Sequence, residues 1–254
     1  MSALLHIEGL SIGFSGRELL RGASFELHAG ETMALIGLNG TGKSTLLRTL
    51  AGLHVPSAGR VLLNGRPLHE MTNAERARQL SVVFTGKPEA GLLDVRTLVS
   101  LGRQPWTGSL GRLSAKDNAR VDEAMDHAGV KGFAQRSLRS LSDGEGQKVM
   151  IACALAQDTP VMLLDEPTAF LDLVNRIAVM RLLVRIAKEQ ERGILFSTHD
   201  LAMAMQVCDR ILLLHDGALW CGTPAEAVSS GVLDRAFASQ GLRFDAVTAT
   251  LVNV

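Results

Sequence analysis

The sequence is poor in the features that mark metal-binding, disulfide-stabilised and strongly charged proteins. It has three cysteines, Cys153, Cys208 and Cys221, and no CxxC pair, which favours reduced core thiols in a cytosolic protein. Its seven histidines lie too far apart for a local metal-binding pattern such as HxxxH. The 26 basic residues equal the 26 acidic ones and are scattered, so no net charge draws the chain to nucleic acid or to an acidic membrane surface.

Long apolar runs are also missing. The amino-terminal segment lacks the basic flank and the continuous apolar stretch of a secretory signal. No run approaches the ~18 apolar residues that span a bilayer, and short runs such as Val161–Leu164 and Ile211–Leu214 have the length of buried strands. If the protein works in transport, we expect its membrane part to be another chain.

The sequence does contain apolar strands that alternate with amphipathic helices. Strands are predicted at Leu4–Glu8, Ser24–His28, Met33–Ile36, Arg60–Leu63, Ser81–Phe84, Val161–Asp165, Ile194–Ser197, Arg210–His215 and Ala218–Gly222. Helices are predicted from Lys43 to Gly52, over Val121–Ala128 up to Gly129, and over Asp172–Glu191. This alternation predicts a mostly parallel sheet covered on both faces. We expect one domain, 1–254, with a core of 1–85 and 151–254 and an inserted helical subdomain at 86–150.

A glycine-rich segment, called here the phosphate loop, lies between an apolar strand and a helix and fits the pattern GxxxxGK[ST]. Its residues are Gly37, Leu38, Asn39, Gly40, Thr41, Gly42, Lys43, Ser44 and Thr45. Backbone N–H groups of such a loop wrap phosphates, and the helix N-terminus adds a favourable dipole. Lys43 is expected to reach the β- and γ-phosphates of a nucleotide, and the Ser44 hydroxyl to bind Mg²⁺. The flanking strand and helix outweigh the alternative of a glycine-rich turn with a chance lysine.

Two acids, Asp165 and Glu166, end the apolar run that begins at Val161. An unpaired buried charge is costly, so carboxylates at the end of a buried strand need a reason. With a phosphate loop upstream, that reason is Mg²⁺ and a water molecule. Asp165 is expected to hold the metal and Glu166 to polarise the attacking water. Alone, the pair would fit two solvated acids after a core strand equally well.

The signature segment, Leu141–Glu145 (LSDGE), has the spacing of a helix capping box, with Ser142 as the N-cap. Alone, it predicts a helix start, which can also bind an anion. The chain further contains LLDEP, then the joining loop Ala169–Asp172, then His199 after ILFST. In this order the five motifs resemble the ABC ATPase family over nearly the whole chain.

The resemblance implies an ATPase that uses ATP and Mg²⁺ on a P-loop NTPase core, a mostly parallel sheet with an antiparallel β part and an inserted α-helical subdomain. Phe14 would stack on adenine, and His199 would contact the γ-phosphate and the water. Ser142 and Gly144 would contact the γ-phosphate bound by a second copy, since ATP joins two copies head to tail. Asp172 would lie in the loop that joins the two sites.

The chain departs from the family at three positions. Asp143 stands where the family usually has glycine and Glu145 where it has glutamine, and we expect both carboxylates to point away from the triphosphate. Thr85 replaces a glutamine that helps to bind Mg²⁺ and reports to the membrane subunit. The threonine side chain is short and stiff, so its oxygen is expected to reach the metal only through a water molecule.

The segment Leu92–Trp106 lies where the family docks its membrane partner, and an exposed apolar groove is expected around Leu92, Leu93, Val95 and Leu98. The chain looks most like the importer ATPases for iron–siderophore complexes, haem and cobalamin. The resemblance implies a homodimer bound to transmembrane permease subunits on the cytoplasmic face of the inner membrane, with a substrate-binding protein that delivers the cargo. No nucleic-acid partner is expected. An alternative is an ABC ATPase without a membrane partner that acts in assembly, repair or translation; a P-loop kinase would not need LSDGE.

Overall fold

The computed structural model describes residues 3–14, 16–86, 93–108, 111–245 and 250–253. Leu92 and the side chain of Phe14 lie outside the described residues, so the predictions about them stay predictions. The strands are β1 (Ala3–Phe14), β2 (Arg17–His28), β3 (Thr32–Ile36), β4 (Ala58–Leu63), β5 (Arg66–Pro67), β6 (Leu80–Val83), β7 (Val161–Leu164), β8 (Gly193–Ser197), β9 (Arg210–His215), β10 (Ala218–Gly222), β11 (Leu242–Asp245) and β12 (Thr250–Asn253). The α-helices are α1 (Lys43–Leu50), α2 (Asn73–Ala77), α3 (Val95–Leu101), α4 (Ala115–His127), α5 (Asp143–Ala156), α6 (Leu173–Glu189), α7 (Leu201–Val207), α8 (Pro224–Ser229) and α9 (Val232–Phe237).

The main sheet has six strands in the order β10-β9-β3-β8-β7-β6. Strand β3 pairs in parallel with β8 and β9, and β7 pairs in parallel with β6 and β8, while β10 is antiparallel to β9. A second sheet, in the order β2-β1-β4-β5, is antiparallel throughout. The predicted fold class is therefore confirmed. Because parallel strands end at the same edge, the segments that follow β3, β6, β7 and β8 meet there.

The first strands are longer than the sequence pattern predicts. Strand β1 runs to Phe14 instead of ending at Glu8, and its pairing with β2 shifts register around Gly9. Gly9 has a φ of +56°, and a Cβ built on Gly59 of β4 would lie 2.3 Å from the Gly9 carbonyl oxygen. These glycines therefore mark an irregularity and a close crossing inside a continuing strand. The hairpin of β11 and β12 was not predicted.

Apolar layers cover both faces of the main sheet. Leu163 of β7 belongs to the core formed with α1 and the antiparallel sheet, whereas its neighbour Leu164 belongs to the core formed with α3, α4, α5 and α6. Side chains alternate between the faces of a strand, so a strand covered on both faces is apolar at every position. All four residues of β7 are fully buried, which positions the acids that follow it from two sides.

The predicted apolar groove is wrong for two of its residues. Val95 is fully buried and Leu98 is 7% exposed, because α3 packs this face into the core that it shares with α4 and α5. Leu93 is half-buried, and among the described residues 93–108 the exposed large apolar side chains are Leu101 and Trp106. Among the described residues, no helix is both long and apolar enough to cross a membrane.

Candidate nucleotide-binding site

The phosphate loop connects the end of β3 to the first turn of α1, as predicted. Gly37 has no room for a side chain, because a Cβ there would lie 2.6 Å from the Leu214 carbonyl oxygen of β9. Gly42 is the N-cap of α1 with a φ of +108°, a conformation that side chains rarely allow. The loop therefore brings its backbone around the start of a helix, where N–H groups are not used by the helix itself.

Lys43 is turned back into this loop and is only 6% exposed. Its Nζ donates hydrogen bonds to the carbonyl oxygens of Gly37, at 2.8 Å, and Leu38, at 3.1 Å. Burial lowers the pKa of Lys43, and the carboxylates of Glu166 and Asp165 oppose that shift. The structure thus brings together the loop lysine and both acids that the sequence singled out.

Asp165 is held by the neighbouring strands of the sheet. Its N–H donates to the Val83 carbonyl oxygen of β6 at 2.8 Å, and its Oδ1 accepts a 2.7 Å hydrogen bond from the Ser197 hydroxyl at the end of β8. The Ser197 oxygen also accepts the Glu166 N–H at 2.8 Å. One buried hydroxyl therefore positions both acids. Sequence reasoning missed Ser197, although its place at the end of a parallel strand was the available signal.

Glu166 has a φ of +47°, an uncommon conformation for a residue other than glycine. Its Oε2 lies 3.7 Å from Nδ1 of His199, whose side chain is 59% exposed. Backbone strain of this kind occurs at sites where a side chain must point in a specific direction. The 3.7 Å distance makes Glu166 and His199, the two predicted catalytic residues, neighbours.

An open cleft of about 450 Å³ lies over the phosphate loop. It is lined by Arg17, Leu19, Asn39, Gly40, Gly42, Lys43, Ser44, Thr45 and Glu166. Arg17 and Leu19, from the start of β2, were not predicted. Among the described residues, no residue of the signature segment or of the joining loop lines this cleft.

Thr85 is the second residue after β6 and lies beside the first of the two acids. Its hydroxyl donates a 2.9 Å hydrogen bond to the Asp165 carbonyl oxygen. It also lines a smaller cavity, of about 50 Å³, together with Asp143, Gln147, Glu166 and other residues of α5 and the joining loop. The position is therefore tied to the backbone of Asp165, while its predicted link to a metal through water stays a prediction.

The signature segment forms the capping box that its spacing predicts. Ser142 caps α5 by accepting the Glu145 N–H at 3.3 Å, and Glu145 accepts the Ser142 N–H at 2.8 Å. The Glu145 carboxylate also accepts a 2.9 Å hydrogen bond from Arg136. The Ser142 N–H and the Arg136 guanidinium hold the pKa of Glu145 below its usual value. This carboxylate is thus engaged within its own chain.

Asp172 is the N-cap of α6. Its Oδ1 accepts the Asn175 N–H at 2.8 Å, and its Oδ2 accepts a 3.0 Å hydrogen bond from the Asn175 side chain. Both bonds hold the pKa of Asp172 below its usual range, so the residue carries a negative charge at neutral pH. Among the neighbouring apolar side chains, Phe170, Leu173 and Val174 are 86%, 61% and 76% exposed.

A strand, a glycine loop and a helix, with a buried lysine in the loop and two acids from a neighbouring strand, define a P-loop nucleoside triphosphatase. The family model for the ABC transporter matches residues 20–169. The chain belongs to the ABC transporter family, as one of its ATPases.

Relatives and solved structures agree with this assignment. The chain is 37% identical over 231 residues to the achromobactin transport ATP-binding protein CbrD of Dickeya dadantii, covering 90% of this chain and 85% of that protein. It is 36% identical over 234 residues to the iron(3+)-hydroxamate import ATP-binding protein FhuC of Bacillus subtilis, covering 92% and 87%. A metal-chelate type ABC transporter in an inward-facing conformation superposes with a TM-score of 0.83 at 27% identity, covering 93% of this chain and 90% of that one.

Proposed function

We propose that this chain is the ATP-hydrolysing subunit of a membrane importer whose cargo is an iron–siderophore complex, haem or cobalamin. The observation that carries the proposal is the group formed by Lys43, Asp165 and Glu166 at one edge of the sheet, in a chain of the ABC transporter family. The roles of individual residues below are part of the proposal. So is the division of the single domain, 1–254, into a core and a helical subdomain at 86–150.

The phosphate loop binds the triphosphate of ATP through its backbone N–H groups and through Lys43, which exchanges two carbonyl acceptors for phosphate oxygens. Phe14 and the nearby start of β2 take the adenine side of the cleft. The donor set also fits Mg²⁺, because that cation prefers oxygen ligands. Ser44 offers a hydroxyl, and Asp165 has one oxygen, Oδ2, that accepts no hydrogen bond within the described part of the chain. Bound there, Mg²⁺ would supply positive charge to the phosphates.

Glu166 is the residue that orients the attacking water and accepts its proton. The water oxygen forms a bond to the γ-phosphorus while the bond to the leaving oxygen of ADP breaks. His199, 3.7 Å from the Glu166 carboxylate, is placed to contact the same water and the γ-phosphate. Ser197 keeps the carboxylate in place by holding the backbone of Glu166.

A second copy of the chain completes the site. Ser142 and Asp143 are exposed, and the signature segment is absent from the lining of the cleft in its own chain. The exposed apolar residues beside Asp172, namely Phe170, Leu173 and Val174, are typical of a surface that a partner covers. These features support a head-to-tail homodimer in which the signature segment and joining loop of one copy face the nucleotide of the other.

Transmembrane permease subunits are the second kind of partner. With one face of α3 buried, Leu101 and Trp106 are the large apolar side chains that stay exposed within the described stretch 93–108, and we assign them, with Leu93, to the permease contact. The cargo class and a position on the cytoplasmic face of the membrane rest on the resemblance to siderophore importers.

Reconstitution tests the proposal. The chain is co-expressed with candidate importer permeases from its own genome, and any complex that forms is placed in liposomes with the matching substrate-binding protein. We expect ATP-dependent uptake of radiolabelled ferric siderophore, haem or cobalamin, and none with Glu166→Gln. If the chain hydrolyses ATP but binds no permease, and no permease changes its rate, the result would favour the alternative, an ABC ATPase that acts in assembly, repair or translation.

A further inference from the structure

The first turns of α5 and α6 are in contact. Gly144 is the second residue of α5, and Asn175 is the third residue of α6. Gly144 is buried, and a Cβ built on it would lie 2.6 Å from both Cγ and Oδ1 of Asn175 and 3.0 Å from its Nδ2. Gly144 has ordinary helical geometry, so its backbone alone would accept alanine. The obstacle to a side chain at this position is therefore the Asn175 amide.

Moving this amide aside would break its hydrogen bond to Asp172. Its Nδ2 donates to Asp172, and its own backbone N–H donates to the same carboxylate. The following residue, Arg176, donates a 3.0 Å hydrogen bond from Nε to the Leu171 carbonyl oxygen, which fixes the same turn. The amide is thus held between a charged cap of α6 on one side and the backbone of α5 on the other.

A neutral amide suits the electrostatics of this contact. Two helix N-termini lie side by side, and each carries a partial positive charge. The carboxylates of Asp172 and Glu145 already balance these charges as capping groups. Asn175 adds a directed hydrogen bond and a small volume without adding another charge.

We propose that Asn175 is a positioning residue that holds the signature segment and the joining loop at a fixed separation, and that residue 144 must be glycine to admit its amide. The functional part rests on the proposed function, in which both segments face the nucleotide of a second copy. Asn175 does not line the nucleotide cleft of its own chain, so it acts through Gly144 and Asp172. Close packing of this kind passes a displacement of one segment to the other.

A double-mutant cycle in the isolated chain tests the contact. Gly144→Ala is expected to lower the melting temperature by about 5 °C, because an added methyl group overpacks the contact. In the Asn175→Ala background the space is open and alanine is the better helix former, so Gly144→Ala should leave the melting temperature equal or higher. Additive effects of the two substitutions would overturn the proposal.

Two further variants separate volume from other causes. Asn175→Leu keeps a branched, uncharged side chain of similar size, so it should not relieve Gly144→Ala, although it also loses the hydrogen bond to Asp172. Gly132→Ala is the matched glycine control, because no atom lies within 4 Å of its built Cβ, and we expect less than about 2 °C of change. Relief by Asn175→Leu equal to that by Asn175→Ala would show that volume is not the cause.

The functional part is read from kinetics of the assembled transporter. Asn175→Ala should lower kcat about 10-fold while the dissociation constant of ATP for the isolated chain stays within about 2-fold, since the nucleotide cleft is intact. An unchanged kcat would refute the positioning role. If the transporter assignment itself fails, the stability cycle still reports on the contact, because it needs neither ATP nor a permease.

Discussion

Ser197→Ala probes how the two acids are held, and its cost follows from two hydrogen bonds of one buried hydroxyl. The Ser197 side chain is fully buried and joins Oδ1 of Asp165 to the N–H of Glu166. Its removal leaves a carboxylate oxygen and an N–H without their partner, and each loss costs about 1–3 kcal/mol. A total of about 3 kcal/mol corresponds to a fall of about 10 °C in melting temperature for a chain of this size.

The same change should affect hydrolysis more than nucleotide binding. Glu166 loses the contact that orients its backbone, and a loss of about 1.4 kcal/mol in the transition state lowers kcat 10-fold. The dissociation constant of ATP should change by less than about 3-fold, because the Ser197 hydroxyl bonds to Asp165 and Glu166 and shares no hydrogen bond with the phosphate loop. Calorimetry, nucleotide titration and a Mg²⁺-dependent ATPase assay measure the three quantities.

A buried serine on another strand provides the control. Ser81 of β6 donates only a long, 3.5 Å hydrogen bond to the Val161 carbonyl oxygen, and Thr159, which donates to Ser81, has a second acceptor in the same carbonyl. Ser81→Ala should therefore leave kcat within 2-fold of wild type, at a smaller loss of stability. If Ser197→Ala behaved like Ser81→Ala in both assays, the reasoning about the shared hydroxyl would be refuted.

Three other predictions concern charge and hydrogen bonding. Lys43→Ala should weaken ATP binding and abolish hydrolysis. Glu166→Gln should instead bind ATP and trap a closed dimer, which gel filtration would detect. Hydrolysis by Glu166→Gln at a near wild-type rate would contradict the role of Glu166. Thr85→Val removes one hydroxyl. A ~10-fold lower ATPase rate of the assembled transporter, which corresponds to ~1.4 kcal/mol, would link the Thr85 hydroxyl to the metal. An unchanged rate would show that Thr85 has a structural role only. The capping box with Thr72 lowers the pKa of Glu75 to about 2. The ionised carboxylate should therefore make the protein more stable than Glu75→Gln at pH 7, and this difference should disappear as the pH falls from about 4.5 to 2. Acid-unfolding curves of the two proteins measure the difference, and a difference independent of pH would contradict the prediction.

Motifs whose chemistry is local could be predicted from the sequence. The phosphate loop, the strand before Asp165 and the capping box at Ser142 each depend on residues close together in the chain, and the structure has all three. The hairpin of β9 and β10 was predicted with its observed bounds. The roles of these residues in catalysis stay predictions, since geometry alone does not test them.

Features that depend on distant neighbours could not be predicted. Strand β1 continues beyond Glu8 because two other strands pair with it. From the sequence alone, Gly9 would be expected to end the strand. Val95 and Leu98 are apolar in a way that fits a groove or a core equally, and only the packing of α4 and α5 decides for the core. Ser197 is separated from Asp165 by 32 positions and is brought to it by the pairing of β7 with β8.

Burial of β7 from two sides has a consequence for recombining this chain with its relatives. Leu163 and Leu164 are adjacent in the sequence but pack into different cores. A chimaera that exchanges the residues of only one core would therefore leave this strand mismatched on one face. The mismatch would arise one or two residues before Asp165 and Glu166. A library built by exchanging whole layers should therefore keep β7 and both of its facing layers from one parent, and place crossovers in the loops at the opposite edge of the sheet.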